Sequence, residues 1–384
     1  MKHILFTTLI FCVTLAHAQP TFYDSYTDEV IGWKKTYNYP PATKPIQVDD
    51  KTYSASQISV ANLLANWMQM SYMPKGALGD VKKTVLPKLG LYNSYVKALP
   101  HSYGAVVYSY VFLKRDANNK WVNETTHANI WRIMANEVPN ADYYGIPFLN
   151  NNKEFYFTIP DTDEQRWETV QENTKNHPVI KKYHNTILPD FGGASNGKLI
   201  ILSKDNVFPF QQLTIGEVLS LCENSISNWF KVEKKKIAEA NQYPGNKNMY
   251  KDYEFHLGQA NEKAESAKQF LKELNKKYHD KSKQPAFLNN GKFDIADLAN
   301  KSDIFSGGEN NNYPVYKIKP ELKAQCKTDK PQWITISWGG GTLPTDKKYK
   351  HFNESIINNF NYHYLYDYFF DNEKVKGKQY KSLK

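Results

Sequence analysis

The pentapeptide Gly193-Ala-Ser195-Asn-Gly197 has the Gly-x-Ser-x-Gly spacing of a nucleophile elbow. In that device the serine hydroxyl sits on a strained turn between a strand and a helix, and backbone N–H groups there stabilise the oxyanion. The neighbours here run in the opposite sense. A loop with Pro189 precedes the serine, and the apolar run 198–203, which reads as a buried strand, follows it. A Gly/Ser/Asn turn accounts for the same letters. Glu124, His127, Glu137 and Asp142 crowd another stretch, and a carboxylate pair there has the residue types for acid–base work on a glycosidic bond. Charged ends of surface strands account for them equally, and the sequence names no catalytic residue.

Metal and phosphate chemistry have less to stand on. The chain carries no His-Glu-x-x-His and no Cys-x-x-Cys, and Pro178 breaks the register between His177 and His184. The acidic run 161–164 lacks the spacing of a calcium loop and suits the first turn of a helix. Gly339-Gly-Gly341 is followed by no Gly-Lys-Ser or Gly-Lys-Thr, so it reads as a strand exit. No metal and no cofactor are expected.

The aromatic residues offer a different chemistry. With 8 Trp, 27 Tyr and 20 Phe, the chain has material for flat platforms that stack on sugars or cover a protein partner. Trp121 and Trp131 fall in neighbouring predicted strands, and Tyr143 and Tyr144 follow closely. These four are the candidate binding residues if they face solvent together. The alternative is that Trp131 fills the core beneath the helix at 54–73.

The elements that must position these residues are legible from their periods. Ser54 and Gln57 form a capping box, after which Ile58, Ala61, Ala65, Met68 and Tyr72 recur on one helical face. Residues 75–100 read as a mixed loop with short helical pieces. Residues 103–114, a strand from Trp121, and 129–138 read as an antiparallel meander. Residues 153–159 read as a strand and 162–186 as helical. Thr214 and Glu217 form a second capping box, and Ile215, Leu219, Cys222, Ile226 and Trp229 follow at alternating spacings of four and three. After Tyr243-Pro-Gly245 the same spacing runs from Tyr253 to Tyr278, the seam of a coiled coil. Two helices of about 26 and 28 residues, each roughly 40 Å long, then make an antiparallel pair. Residues 313–319 and 332–338 read as strands and 353–370 as a closing helix.

The expected fold class is therefore α+β: an antiparallel sheet packed by helices, with a long antiparallel helical hairpin insertion. The segments are a signal peptide at 1–18, an N-terminal helix and antiparallel strand region at 19–150, a mixed segment at 151–213, the hairpin at 214–281, and a strand–helix region at 282–384. Residues 19–384 also read as one composite domain.

The first residues fix where such a chain works. Lys2 and His3 precede the apolar run 4–15, which ends in Ala16-His17-Ala18 before Gln19. This is the layout of a cleaved secretory signal, too short for a spanning helix, and it predicts a secreted or periplasmic product. Once Cys12 leaves with it, Cys222 and Cys326 are the one pair available for a disulfide; two buried thiols are the other reading. The net charge of +10 comes almost wholly from lysine, since Arg115, Arg132 and Arg166 are the only arginines. Phosphate and base recognition favours the planar guanidinium, so nucleic acid is not the expected partner. The sequence thus points to an exported, non-catalytic binding protein of the bacterial envelope or extracellular space, contacting protein or glycan, with no transmembrane segment. The alternative is a secreted hydrolase of glycosidic or peptide bonds.

Overall fold

A computed structural model describes residues 26–34, 44–86, 97–160, 177–191, 195–242, 253–305, 313–339 and 347–384. The signal segment 1–18 and most of the predicted helix at 162–186 lie outside the described residues.

In chain order the strands are β1 (Ile46–Val48), β2 (Lys51–Tyr53), β3 (Leu78–Leu86), β4 (Ser102–Tyr110), β5 (Leu113–Arg115), β6 (Trp121–Asn123), β7 (Asn129–Ala135), β8 (Tyr156–Thr158), β9 (His184–Phe191), β10 (Ser195–Ser203), β11 (Phe210–Gln212), β12 (Phe287–Leu288), β13 (Tyr313–Ile318) and β14 (Trp333–Gly339). The α-helices are α1 (Ala55–Ser71), α2 (Ala141–Tyr144), α3 (Ile215–Gln242), α4 (Tyr253–Lys277), α5 (Ile295–Ala299), α6 (Pro320–Gln325), α7 (Lys347–Glu354) and α8 (Tyr362–Phe370). Helices and antiparallel sheets together make the protein α+β.

The main sheet has the order β3-β4-β7-β14-β10-β9, antiparallel throughout, and draws strands from three of the five sequence segments. Alternation divides its two faces. Tyr103, Ala105 and Val107 of β4, Trp131, Ile133 and Ala135 of β7, and Ile334, Ile336 and Trp338 of β14 pack with Leu64 and Met68 of α1 and with Phe360 and Leu365 around α8. The opposite face supplies Leu199 and Ile201 of β10 and Trp333 of β14, which meet Phe157 of β8, Phe210 of β11 and Ile318 of β13. These last three belong to the smaller sheet, in which β13 pairs with β11, β12 and β8. The far side of that sheet offers Val315 and Tyr156 to Leu219, Cys222 and Ile226 of α3 and to Ala264, Ala267 and Leu271 of α4. Four layers result: α1 with α8, the main sheet, the small sheet, and α3 with α4.

Both capping boxes form. Ser54 and Gln57 exchange side-chain and backbone bonds at the start of α1, and Thr214 and Glu217 do so before α3. The Ile215 and Gly216 amides bond to the carbonyls of Gln284 and Ser282 just beyond α4. The start of α3 and the end of α4 thus lie together.

Several sequence expectations need correction. Residues 78–86 form a strand, not a loop: Val81 and Val85 enter the core while Lys82 stays exposed, as an edge strand requires. Residues 184–186 are not the end of a helix and Pro189 is not in a loop: 184–191 is a strand, and Pro189 is compatible with it because β9 is an edge. The meander is rearranged: β4 pairs directly with β7, and β5 and β6 form a separate ribbon. The closing helix is broken. Phe360 turns extended and packs edge-on against Trp131 at 5.3 Å, and Asn361 caps α8 by accepting from the Tyr364 amide. Gly104 marks the tight crossing of β4 and β7, because a Cβ there would run into the Ile133 carbonyl and the Met134 sulfur.

Candidate functional site

The four aromatic candidates do not share a surface. Trp131 is fully buried in the core beneath α1, as strand alternation places it. Trp121 is held between the Arg115 guanidinium, 4.0 Å from its ring, and Tyr26, 4.7 Å away. Tyr144 is buried between the two sheets, and only Tyr143 is exposed, beneath the Lys292 ammonium. The common platform is therefore ruled out by burial of Trp131 and Tyr144. Cys222 and Cys326 are free buried thiols in different core clusters, Cys222 against α4 and Cys326 behind Trp333.

The charged candidates separate as well. Glu124, His127 and Asp142 are exposed, whereas Glu137 is buried. Its carboxylate accepts from Arg132 Nη1 and from Thr335 Oγ1, each at 3.0 Å, and its carbonyl accepts from the Trp333 indole. Burial raises the Glu137 carboxyl above its ordinary value, and the nearby Arg132 charge opposes that shift. Every one of these partners is structural, so the cluster ties the end of β7 to β14. Ser195 opens β10, and a strand rather than a helix follows, which is not the setting of a nucleophile elbow; Gly193 lies outside the described residues. Among the described residues no group of three or more His, Cys, Asp or Glu side chains is placed to hold a metal ion.

A cleft of about 420 Å³ opens where the two sheets part. One wall is the main sheet: Leu199 and Ile201 of β10, with His184 and Thr186 opposite them on β9. The other is the small sheet: Gln212 of β11, Phe287 of β12, and Pro314 and Tyr316 of β13. Ile159 and Pro160 lead out of β8 along one side, and Phe208 closes the other. The Phe208 ring stands edge-on to Tyr316 at 5.3 Å and lies 4.9 Å from His184. His184 Nε2 donates to the Asn206 carbonyl at 2.8 Å. Thr186 Oγ1 donates to the Pro160 carbonyl, and Asn185 Nδ2 to that of Tyr183. Gln212 Nε2 is buried and makes no hydrogen bond. An unsatisfied buried amide costs stability unless something accepts from it. The size and lining fit a small or side-chain-sized apolar group that also carries a hydrogen-bond acceptor. No carboxylate lines the cleft among the described residues.

Sequence reasoning missed this site. Its residues come from five strands and two loops that are far apart in the chain, and the stretch around Pro189 read as a loop. A wider groove of about 880 Å³ along α3 and α4 is lined mainly by Glu, Lys and Ser side chains, an ordinary solvated helix surface. No family model, no curated protein and no solved structure matches this chain.

Proposed function

We propose that the chain is an exported, non-catalytic binding protein that receives an apolar or aromatic group of a protein or glycan partner in the cleft between its two sheets. The observation that carries this reading is the lining itself: among the described residues, aromatic and aliphatic faces surround an unpaired buried amide donor, with no carboxylate beside them. A hydrolytic site would need an acid–base pair or an activated nucleophile converging on the same space. The buried Glu137 is spent on Arg132 and Thr335 instead. Export rests on the signal-like residues 1–18. Among the described residues no helix is long and apolar enough to cross a membrane. The same proposal takes α3 and α4 as an antiparallel hairpin inserted between β11 and β12, its root being the bonds from Ile215 and Gly216 to residues 284 and 282.

The test uses 1-anilinonaphthalene-8-sulfonate as a probe of the cleft. The folded wild type should enhance its fluorescence at a saturable site, and Thr186→Trp, which fills the cleft from an edge strand, should abolish that signal while keeping the melting temperature. Equal binding by the variant would refute the reading.

A further inference from the structure

We infer that the partner group enters the cleft as a side chain of an extended polypeptide, which adds itself as a new strand along β9; this rests on the cleft being a binding site. Among the described residues β9 is the last strand of the main sheet and pairs with β10 alone. Among the described residues, no backbone bond reaches residues 184–191 from the side away from β10. Edge N–H and C=O groups are a template for another strand unless a cover, a charge, a proline or a bulge blunts them; Pro189 and the bulge opposite Ser195 blunt the far end of β9, so the template is residues 184–188.

The cleft meets this edge. His184 and Thr186 line it from the face that looks toward the small sheet, and Asn185, whose position in the alternation belongs to the other face, lines it too. The cleft thus runs along three successive residues of the edge strand. An incoming strand on β9 therefore carries its alternate side chains over the mouth of the cleft, where Phe208 and Tyr316 receive an apolar one. The Gln212 amide, buried and unpaired, then has a carbonyl to donate to. Main-chain pairing supplies affinity and the cleft supplies selectivity for one side chain in two, which is the logic of strand addition. A free sugar or a small apolar molecule would fill the cleft and leave the backbone row unused. The polypeptide uses both.

The probe is a phage-displayed random dodecapeptide library, selected on the full-length mature protein, with the enriched peptides then synthesised. Expected are sequences with an apolar residue at alternate positions, binding that protects β9 amides from hydrogen exchange, and an affinity that falls with Thr186→Trp. N-methylation of alternate peptide residues should weaken binding by about tenfold in one register, from loss of two or so backbone bonds, and by little in the other. The inference is overturned if no peptide is enriched, if N-methylation is without effect in both registers, or if β9 exchange is unchanged on binding. It is equally overturned if sedimentation shows a dimer whose β9 amides are protected without peptide, since a second copy then owns the edge. If the anilinonaphthalene probe still binds in a Thr186-dependent manner, any of these outcomes removes the polypeptide and leaves the cleft. Loss of probe binding in the wild type would instead remove the site itself.

Discussion

Replacing Arg132 by methionine should make the protein markedly less stable at neutral pH and much less so in acid. Arg132 Nη1 donates to one Glu137 oxygen at 3.0 Å and Thr335 Oγ1 donates to the other at 3.0 Å. The Glu137 side chain is 7% exposed and that of Arg132 25%. Methionine keeps much of the aliphatic stem but leaves a buried carboxylate with one donor. Breaking a buried pair by removing one partner typically costs about 3–5 kcal/mol. Thr335 stays in place and Arg132 is partly solvated, so we expect the lower end, about 3 kcal/mol. The sign of the pH effect follows from burial, which sets the folded Glu137 value above the unfolded one. Folding then takes up a proton between the two values. The carboxyl costs stability as pH rises through that window and costs none below it. Without Arg132 the folded value climbs further, because the main opposing charge is gone. Urea unfolding of both proteins near neutrality and at about pH 4, just below the ordinary glutamate value of roughly 4.3, should show a defect that mostly disappears in acid. Adding Glu137→Gln to the variant should recover most of the loss at neutral pH. A defect below about 1 kcal/mol at neutrality, or one that is equal at both pH values, would refute the pairing as the cause.

Leu271→Pro should destabilise by about 3 kcal/mol or more, because it removes an α4 backbone bond and a buried contact with α3; a melting curve equal to the wild type would count against the packed helices. Cys222 and Cys326 should both resist an aromatic disulfide reagent in the native state and both react in urea, since burial raises both thiols, Cys326 to about 12; intact mass two daltons light, the mark of a disulfide, would contradict this. N-terminal sequencing of exported material should begin at Gln19, and a product that retains residues 1–18 would end the claim of a cleaved signal.

Local chemistry carried much of the fold into the sequence. A Ser–Gln or Thr–Glu spacing sets the first turn of a helix by bonds that span only three residues, so both helix starts were legible. The buried seam from Ala260 to Leu274 was legible for the same reason. β3 was not, because Lys82-Lys83-Thr84 looks like loop until one knows that it is the outermost strand and solvates one side. The break at Phe360 was hidden too. Its cause is long-range: a ring that must reach Trp131, with Asn361 capping the restart.

The site was least legible because no local rule builds it. Trp131 carried two readings, a platform beside other aromatics and a core residue beneath the helix at 54–73, and the second is the one the structure bears out. Strand alternation alone then decides whether such a ring faces solvent or core, and the pairing of β7 between β4 and β14 sends it inward. The cleft arises from the opposite circumstance. Phe208, Gln212 and Tyr316 are unremarkable in their own segments, and they acquire a role only because β11 and β13 lie over the last two strands of the main sheet. Pro189 suits a loop as well as a strand edge, and only the pairing of β9 with β10 makes it an edge residue; that edge is where the cleft opens.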